Sequence, residues 1–332
     1  MIRAIRSRQR GTIAGAAEYS LPGRRHRAVA LRRYTYLLML APGLAIYLAF
    51  IIWPFANTIR VSFYNWSGLG PLDEFVGFGN YTNLFNRAPV NRQFSNALSN
   101  TVQVFVLSTV LSTFVGLIFA LILSRKIPGS RLYQALYFMP NTLSVVVVGF
   151  LWNLLLNPQF GAVNAVLRGV GLRDLARPWL GDPDFALPSI VAVGAWANMG
   201  FPILIFLAAI LGIPSDLTEA ARLDGASELR VIASIVIPLL WPTLITLIVL
   251  NFIASINTFE LVFAMEGSEG GPFFATDVLG TLFYRMAFGG VGGVYAGTGL
   301  GGAAALATLM LVIVLPVSVF VVIYQRRVSH EY

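Results

Sequence analysis

Six apolar runs, each long enough to cross a lipid bilayer as a helix, constrain this chain more than any other feature of its sequence. They lie at about 36–59, 97–123, 132–156, 187–211, 237–263 and 300–324. A bilayer core is matched by about 20 helical residues at 1.5 Å each. Only helices and closed barrels satisfy their backbone polar groups in lipid, and continuous rather than alternating apolar runs exclude the barrel. With 57% hydrophobic and 11% charged residues, the 332-residue chain has too little charge to coat a soluble globule of this size. The expected fold class is an all-α membrane protein, a six-helix transmembrane bundle.

The net charge of +8 reports topology. Basic residues cluster at the ends of the apolar runs rather than beside exposed aromatics, which argues against a nucleic-acid partner. If the N-terminus is inside, all 23 Lys and Arg except Arg60, Arg87, Arg92, Arg168, Arg173, Arg177 and Arg285 fall on the cytoplasmic side. That asymmetry and the even number of spans place both termini in the cytoplasm. Segment 1–33 reads as a basic tail held near membrane lipid headgroups. The apolar run after it exceeds a signal-peptide core and lacks an A-x-A site, so it is expected to be an uncleaved anchor. Residues 34–96 then form the first span and an outer loop, 97–325 the remaining five spans, and 326–332 a cytoplasmic end.

Cysteine is absent, so the chain has no disulfide, thiolate metal site or cysteine nucleophile. No G-x-x-x-x-G-K-[ST] loop occurs around the single lysine, Lys126, so the chain does not cradle ATP itself. Both histidines, His26 and His330, lie in the tails, and no carboxylate pair falls within a span, which argues against a proton-coupled secondary carrier. A membrane-embedded enzyme would need clustered acidic or histidine side chains at the membrane face, and the sequence offers none.

The cytoplasmic connection at 213–236 has strong helix grammar. Pro214 stops the fourth span, Asp216 is placed to cap a helix with Glu219 as its reciprocal partner, and Gly225 suits a left-handed exit. Ser227 starts a second helix. Small Ala220 and Ala221, flanked by Glu219, Arg222 and Asp224, make a knob that another protein's groove can receive.

Glu219-Ala220-Ala221, Gly225 six residues after Glu219, and Ile235 with Ile237-Pro238 resemble the EAA motif of ABC importer permeases, with Ile237 in place of the usual leucine. In that family the helix pair plugs into a cleft of the cytoplasmic ATPase. The resemblance thus implies an ATPase-coupling role for Glu219, Ala220, Ala221, Asp224 and Gly225, and the fold of a type I importer. Phe75-Val-Gly-Phe-Gly-Asn-Tyr81, Phe138-Met-Pro140 through Ser144, Gly149 and Trp152, and Gly270-Gly271-Pro272 with Ala275-Thr276 resemble landmarks of the maltose-type carbohydrate permeases. What this implies is a multi-pass subunit of a bacterial-type inner membrane, without catalysis or cofactor of its own. Its implied partners are a second homologous permease, two ATPase subunits that hold ATP and Mg, and an extracytoplasmic sugar-binding protein. Importers of glycerol phosphate or other polyols share these motifs.

For the substrate path, polar groups inside the spans are the candidates. Asn251 shares a helical face with Ser255 and Thr258, while Asn257 and Glu260 share another. Trp196 and Asn198 precede Pro202, which cannot bond the Asn198 carbonyl, so the fourth span is expected to bend there. Aromatic faces, amides and one carboxylate suit a neutral sugar. The long outer connections, including glycine-dense 289–302, are expected to meet a partner or to pack the last helix closely.

Overall fold

The computed structural model describes residues 38–125, 127–289 and 299–328. The tail 1–33, Lys126, the glycines at 290, 292, 293 and 297, and the last four residues lie outside the described residues. The chain divides into two units, 1–56 and 57–332. The division falls within the first helix, α1 (Leu38–Val61). The elements that follow are α2 (Gly79–Asn86), α3 (Val90–Leu123), α4 (Ser130–Thr142), α5 (Val145–Leu155), α6 (Ala162–Gly169) and α7 (Pro183–Asn198). After these come α8 (Gly200–Leu211), α9 (Ser215–Leu223), α10 (Glu228–Ile256), α11 (Glu260–Glu266), α12 (Leu279–Phe288) and α13 (Gly299–Val328). Four of them, α1, α3, α10 and α13, are singly long and apolar enough to span a bilayer. The pairs α4–α5 and α7–α8 pass the same test as bent spans, giving the expected six.

Within the larger unit α3 is the central pillar. Its first third contributes Val90, Phe94 and Ala97 to a core shared with α2, the end of α10, α12 and α13. Its middle contributes Val104 to a core with α5, α7 and α11, and its end contributes Ala120 and Leu123 to one with α8 and α10. The outer-loop motif has a direct structural reason. Asn80, buried at the start of α2, donates to the carbonyls of Ser62 and Tyr64, both at 2.9 Å, and Tyr81 Oη pairs with Ser62 Oγ at 2.7 Å. The last helix closes on the same turn. A Cβ on Gly301 would stand 2.1 Å from the Tyr64 carbonyl oxygen, so only glycine permits this approach.

Two expected spans differ from the structure. The third is not one helix: α4 and α5 meet at 98°, because Leu143 and Ser144 are extended after a 3-10 turn that contains Pro140. The fifth helix starts earlier, at Glu228, and ends at Ile256 rather than Phe263. Asn257 becomes its cap, Phe259 leaves helical geometry, and Glu260 begins the separate α11 instead of lying inside a span. The bend expected in the fourth span is present, 47° between Asn198 and Gly200, where Pro202, four residues after Asn198, has no N–H to donate to the Asn198 carbonyl. Gly200 sits so tightly there that a Cβ would lie 2.6 Å from the Tyr137 carbonyl oxygen.

Candidate functional site

Four of the helix irregularities converge. A π-helical turn at Thr109–Phe114 in α3, the corner at Leu143, the bend at Asn198 and the break at Asn257–Phe259 all border one cavity of about 660 Å³. Non-helical backbone is tolerated at membrane depth where it faces protein or a watered space, and π turns concentrate at functional sites. The cavity size falls in the range of small-molecule sites.

Four of the expected path residues reach this cavity: Asn198, Asn251, Asn257 and Glu260. Asn251 is half-buried and ties α10 to α3, its amide donating to Ser108 Oγ at 3.0 Å and Thr109 Oγ1 at 2.8 Å. Asn198 donates to the Gly194 carbonyl at 2.9 Å and accepts from Asn141 Nδ2 at 3.3 Å, which bridges the two bent spans. The Asn257 amide donates to the Ile253 carbonyl at 2.8 Å. Glu260 is exposed and has no ion pair among the described residues. Trp196 differs from the expectation. It lies on the same helix as Asn198 but turns away to meet Trp152 edge to face at 5.4 Å, outside the lining, because a two-residue separation in a helix points to different faces. Sequence reasoning missed Ser108, Ser112, Thr113 and Asn141. The signal was present in α3 as hydroxyls repeating at a spacing of four.

The knob at 213–236 is built much as expected. Helix α9 packs mainly against the start of α10 and leaves Glu219, Ala220 and Asp224 exposed, with Leu223 88% exposed. Gly225 adopts φ +83, the left-handed corner that glycine occupies without cost. Arg222 Nε donates to Glu228 Oε1 at 2.7 Å and closes that corner. One detail is corrected: α9 begins two residues earlier than expected, at Ser215 behind Pro214, so Asp216 sits in the first turn and forms no capping box with Glu219. Its charge there still complements the helix dipole. Ser227 holds the N-cap position of the next helix without a side-chain bond.

On the opposite side, the loop after α11 is clamped from within. Arg285, assigned to the outer interface by charge counting, is 1% exposed. It forms a two-pronged pair with the fully buried Asp277, Nη1 to Oδ1 at 2.8 Å and Nη2 to Oδ2, and also donates to the Ser268 carbonyl at 2.7 Å. From α3, Asn96 donates to the Phe274 carbonyl at 2.7 Å and Asn100 to that of Asp277 at 2.8 Å. These bonds hold Phe273 and Phe274 at positive φ, with Phe273 90% exposed. Half-buried Glu266, at the end of α11, has its carboxyl pushed up to about 7 by desolvation.

Comparison with known proteins places these features in a family. Residues 112–330 match the model described as binding-protein-dependent transport system inner membrane component. A probable ABC transporter permease of Bacillus subtilis, YurN, is 33% identical over 85% of this chain and 92% of its own. The permease NgcF of the diacetylchitobiose uptake system of Streptomyces coelicolor is 32% identical over 80% of this chain and 76% of its own. A chain of the crystal structure of a bacterial alginate ABC transporter, in complex with its alginate pentasaccharide-bound periplasmic protein, superposes with a TM-score of 0.73. It is 25% identical and covers 90% of this chain and 96% of that one.

Proposed function

Since this chain belongs to the family of binding-protein-dependent transport system inner membrane components, we propose that it is one of two pore-forming subunits of a sugar importer. Sugar arrives from an extracytoplasmic binding protein and crosses through the cavity bordered by Asn198, Asn251, Asn257 and Glu260. ATP is hydrolysed, with Mg, on two separate ATPase subunits. Both termini are cytoplasmic, which puts the knob on the ATPase side.

The observation that carries this reading is the knob itself. An exposed nine-residue helix ending at a left-handed glycine, joined directly to a long spanning helix, transmits a push on Glu219 to Asp224 into α10. At its far end α10 carries Asn251, bonded to α3 beside the cavity. A rigid element touching both sites supports alternation of access driven by an ATPase that binds one conformer better than the other. The small Ala220 face and the Glu219 charge are the surface offered to the ATPase cleft.

The test is site-directed cross-linking. The chain has no cysteine of its own, so Ala220→Cys supplies a single thiol. In membranes of cells that carry the intact importer, a short thiol-specific cross-linker joins it to an ATP-binding subunit, and the yield changes with trapped nucleotide. Cross-links to lipid or to other membrane proteins alone overturn the reading.

A further inference from the structure

We infer that the cavity excludes anions and admits neutral hydroxyl-bearing solutes, with Glu260 as the residue that sets this specificity. The inference rests on the importer reading above and names the substrate class of its cavity. Among the described residues that line it there is no Lys, Arg or His, and Glu260 is the only charged one. The other polar groups are neutral hydroxyls and amides, such as Ser112, Thr113, Asn141 and Thr258, with Phe201 and Phe259 as aromatic surface.

That inventory fits one class of solute. A phosphate or carboxylate leaving water needs charge-assisted donors, supplied in proteins above all by the arginine fork. Here it meets only neutral donors, several already committed: the Asn251 amide to Ser108 and Thr109, the Asn198 amide to Gly194, the Asn257 amide to Ile253. It meets besides a carboxylate with no counter-charge among the described residues. The positive end of the α11 dipole gives an anion no hold, since Glu260 occupies the first position of that helix. For a sugar hydroxyl the same carboxylate is a strong acceptor, and the aromatic faces suit the apolar C–H face of a pyranose. Phosphorylated polyols and acidic saccharides are therefore poor solutes for this subunit, and neutral saccharides are good ones.

Thiol chemistry tests this without knowledge of the physiological sugar. Thr258→Cys puts the chain's single thiol in the cavity lining, in the assembled complex with its partner subunits. Cationic and anionic methanethiosulfonate reagents of similar size are compared, each rate normalised to a free thiol in solution, and modification is read as added mass on this chain. A field focused in a cleft raises the local concentration of the favoured sign by tenfold or more, so the normalised cation-to-anion ratio is expected at about 10. Glu260→Gln brings the ratio to about 1 by removing the charge, and Glu260→Asp retains the preference. A ratio of 1 or below with Glu260 present, a ratio unmoved by Glu260→Gln, or an unreactive thiol overturns the inference. Co-purification of an ATPase is scored on the same samples, so a complex lacking one overturns the importer reading while leaving the reagent ratio to judge the cavity.

Discussion

Asp277 and Arg285 form a doubly hydrogen-bonded ion pair with both side chains sealed from solvent, eight residues apart across the start of α12. Thr281 Oγ1 also bonds Asp277 Oδ1, at 2.6 Å, and the guanidinium lies 5.3 Å from the Phe274 ring centroid. The pair is the fastening of the loop between α11 and α12, which hangs on it through the Ser268 carbonyl.

Removing one partner strands the other as a buried charge, which costs about 3–5 kcal/mol. Arg285→Met and Asp277→Asn are each expected to abolish accumulation of folded protein or to lower its melting temperature sharply. Fluorescence-detected size exclusion with a thermal ramp measures this. Wild-type melting in either variant contradicts the fastening role.

Asn251 illustrates the smaller scale of polar contacts between spans. Its amide bonds to Ser108 and Thr109 replace partners that the unfolded chain in lipid also finds, so Asn251→Ala is expected to cost only about 0.6 kcal/mol per bond. Transport is expected to fall more than stability does, because the lost tie joins α10 to the cavity wall. Equal losses in a thermal ramp and in uptake would contradict that.

Glu266 sets a pH dependence. Its pKa in the folded chain is raised to about 7 from an ordinary value of 4.5 by desolvation. A raised carboxyl contributes stability that is full below the unfolded value and is lost as pH rises through the folded one. Melting temperature is therefore expected to decline between about pH 4.5 and 7, and Glu266→Gln is expected to flatten that decline. Parallel pH profiles for the two proteins refute the assignment.

At the knob, a side chain on Gly225 meets no neighbour within 4 Å, so any penalty there comes from the backbone alone. At φ +83 an L-residue pays about 1–2 kcal/mol, and a β-branched one more. Gly225→Ala is expected to weaken coupling of ATP hydrolysis to uptake, and Gly225→Val to abolish it, with normal membrane levels. Uptake by Gly225→Val at the wild-type rate contradicts a role for the corner.

The spans and the knob were legible because their signals are local. Apolar length marks a span, and a helix ending at a glycine announces itself within a dozen residues. Charge counting gave no sign that Arg285 is buried, because its partner Asp277 is recruited by the fold of the loop after α11, which no sequence period encodes. The breaks at Leu143 and after Ile256 were equally hidden. Polar residues mark both breaks, Pro140-Asn141-Thr142 before Leu143 and Asn257-Thr258 after Ile256, but the apolar residues on either side carry the run across them. Asn257 and Glu260 were placed near the path for a partly mistaken reason, as members of a span, and reach the cavity because the span ends before them. Trp196, two residues from Asn198, shows how far residue type can mislead when the face is wrong.

The most direct test of the central claim is purification of the tagged chain in mild detergent, with co-purifying subunits identified and ATP hydrolysis measured with and without Glu219→Ala. A second permease and an ATPase are expected in the complex, with assembly or coupling weakened by the substitution. A stable complex that contains no ATPase, or one whose coupled hydrolysis is untouched by Glu219→Ala, contradicts the account.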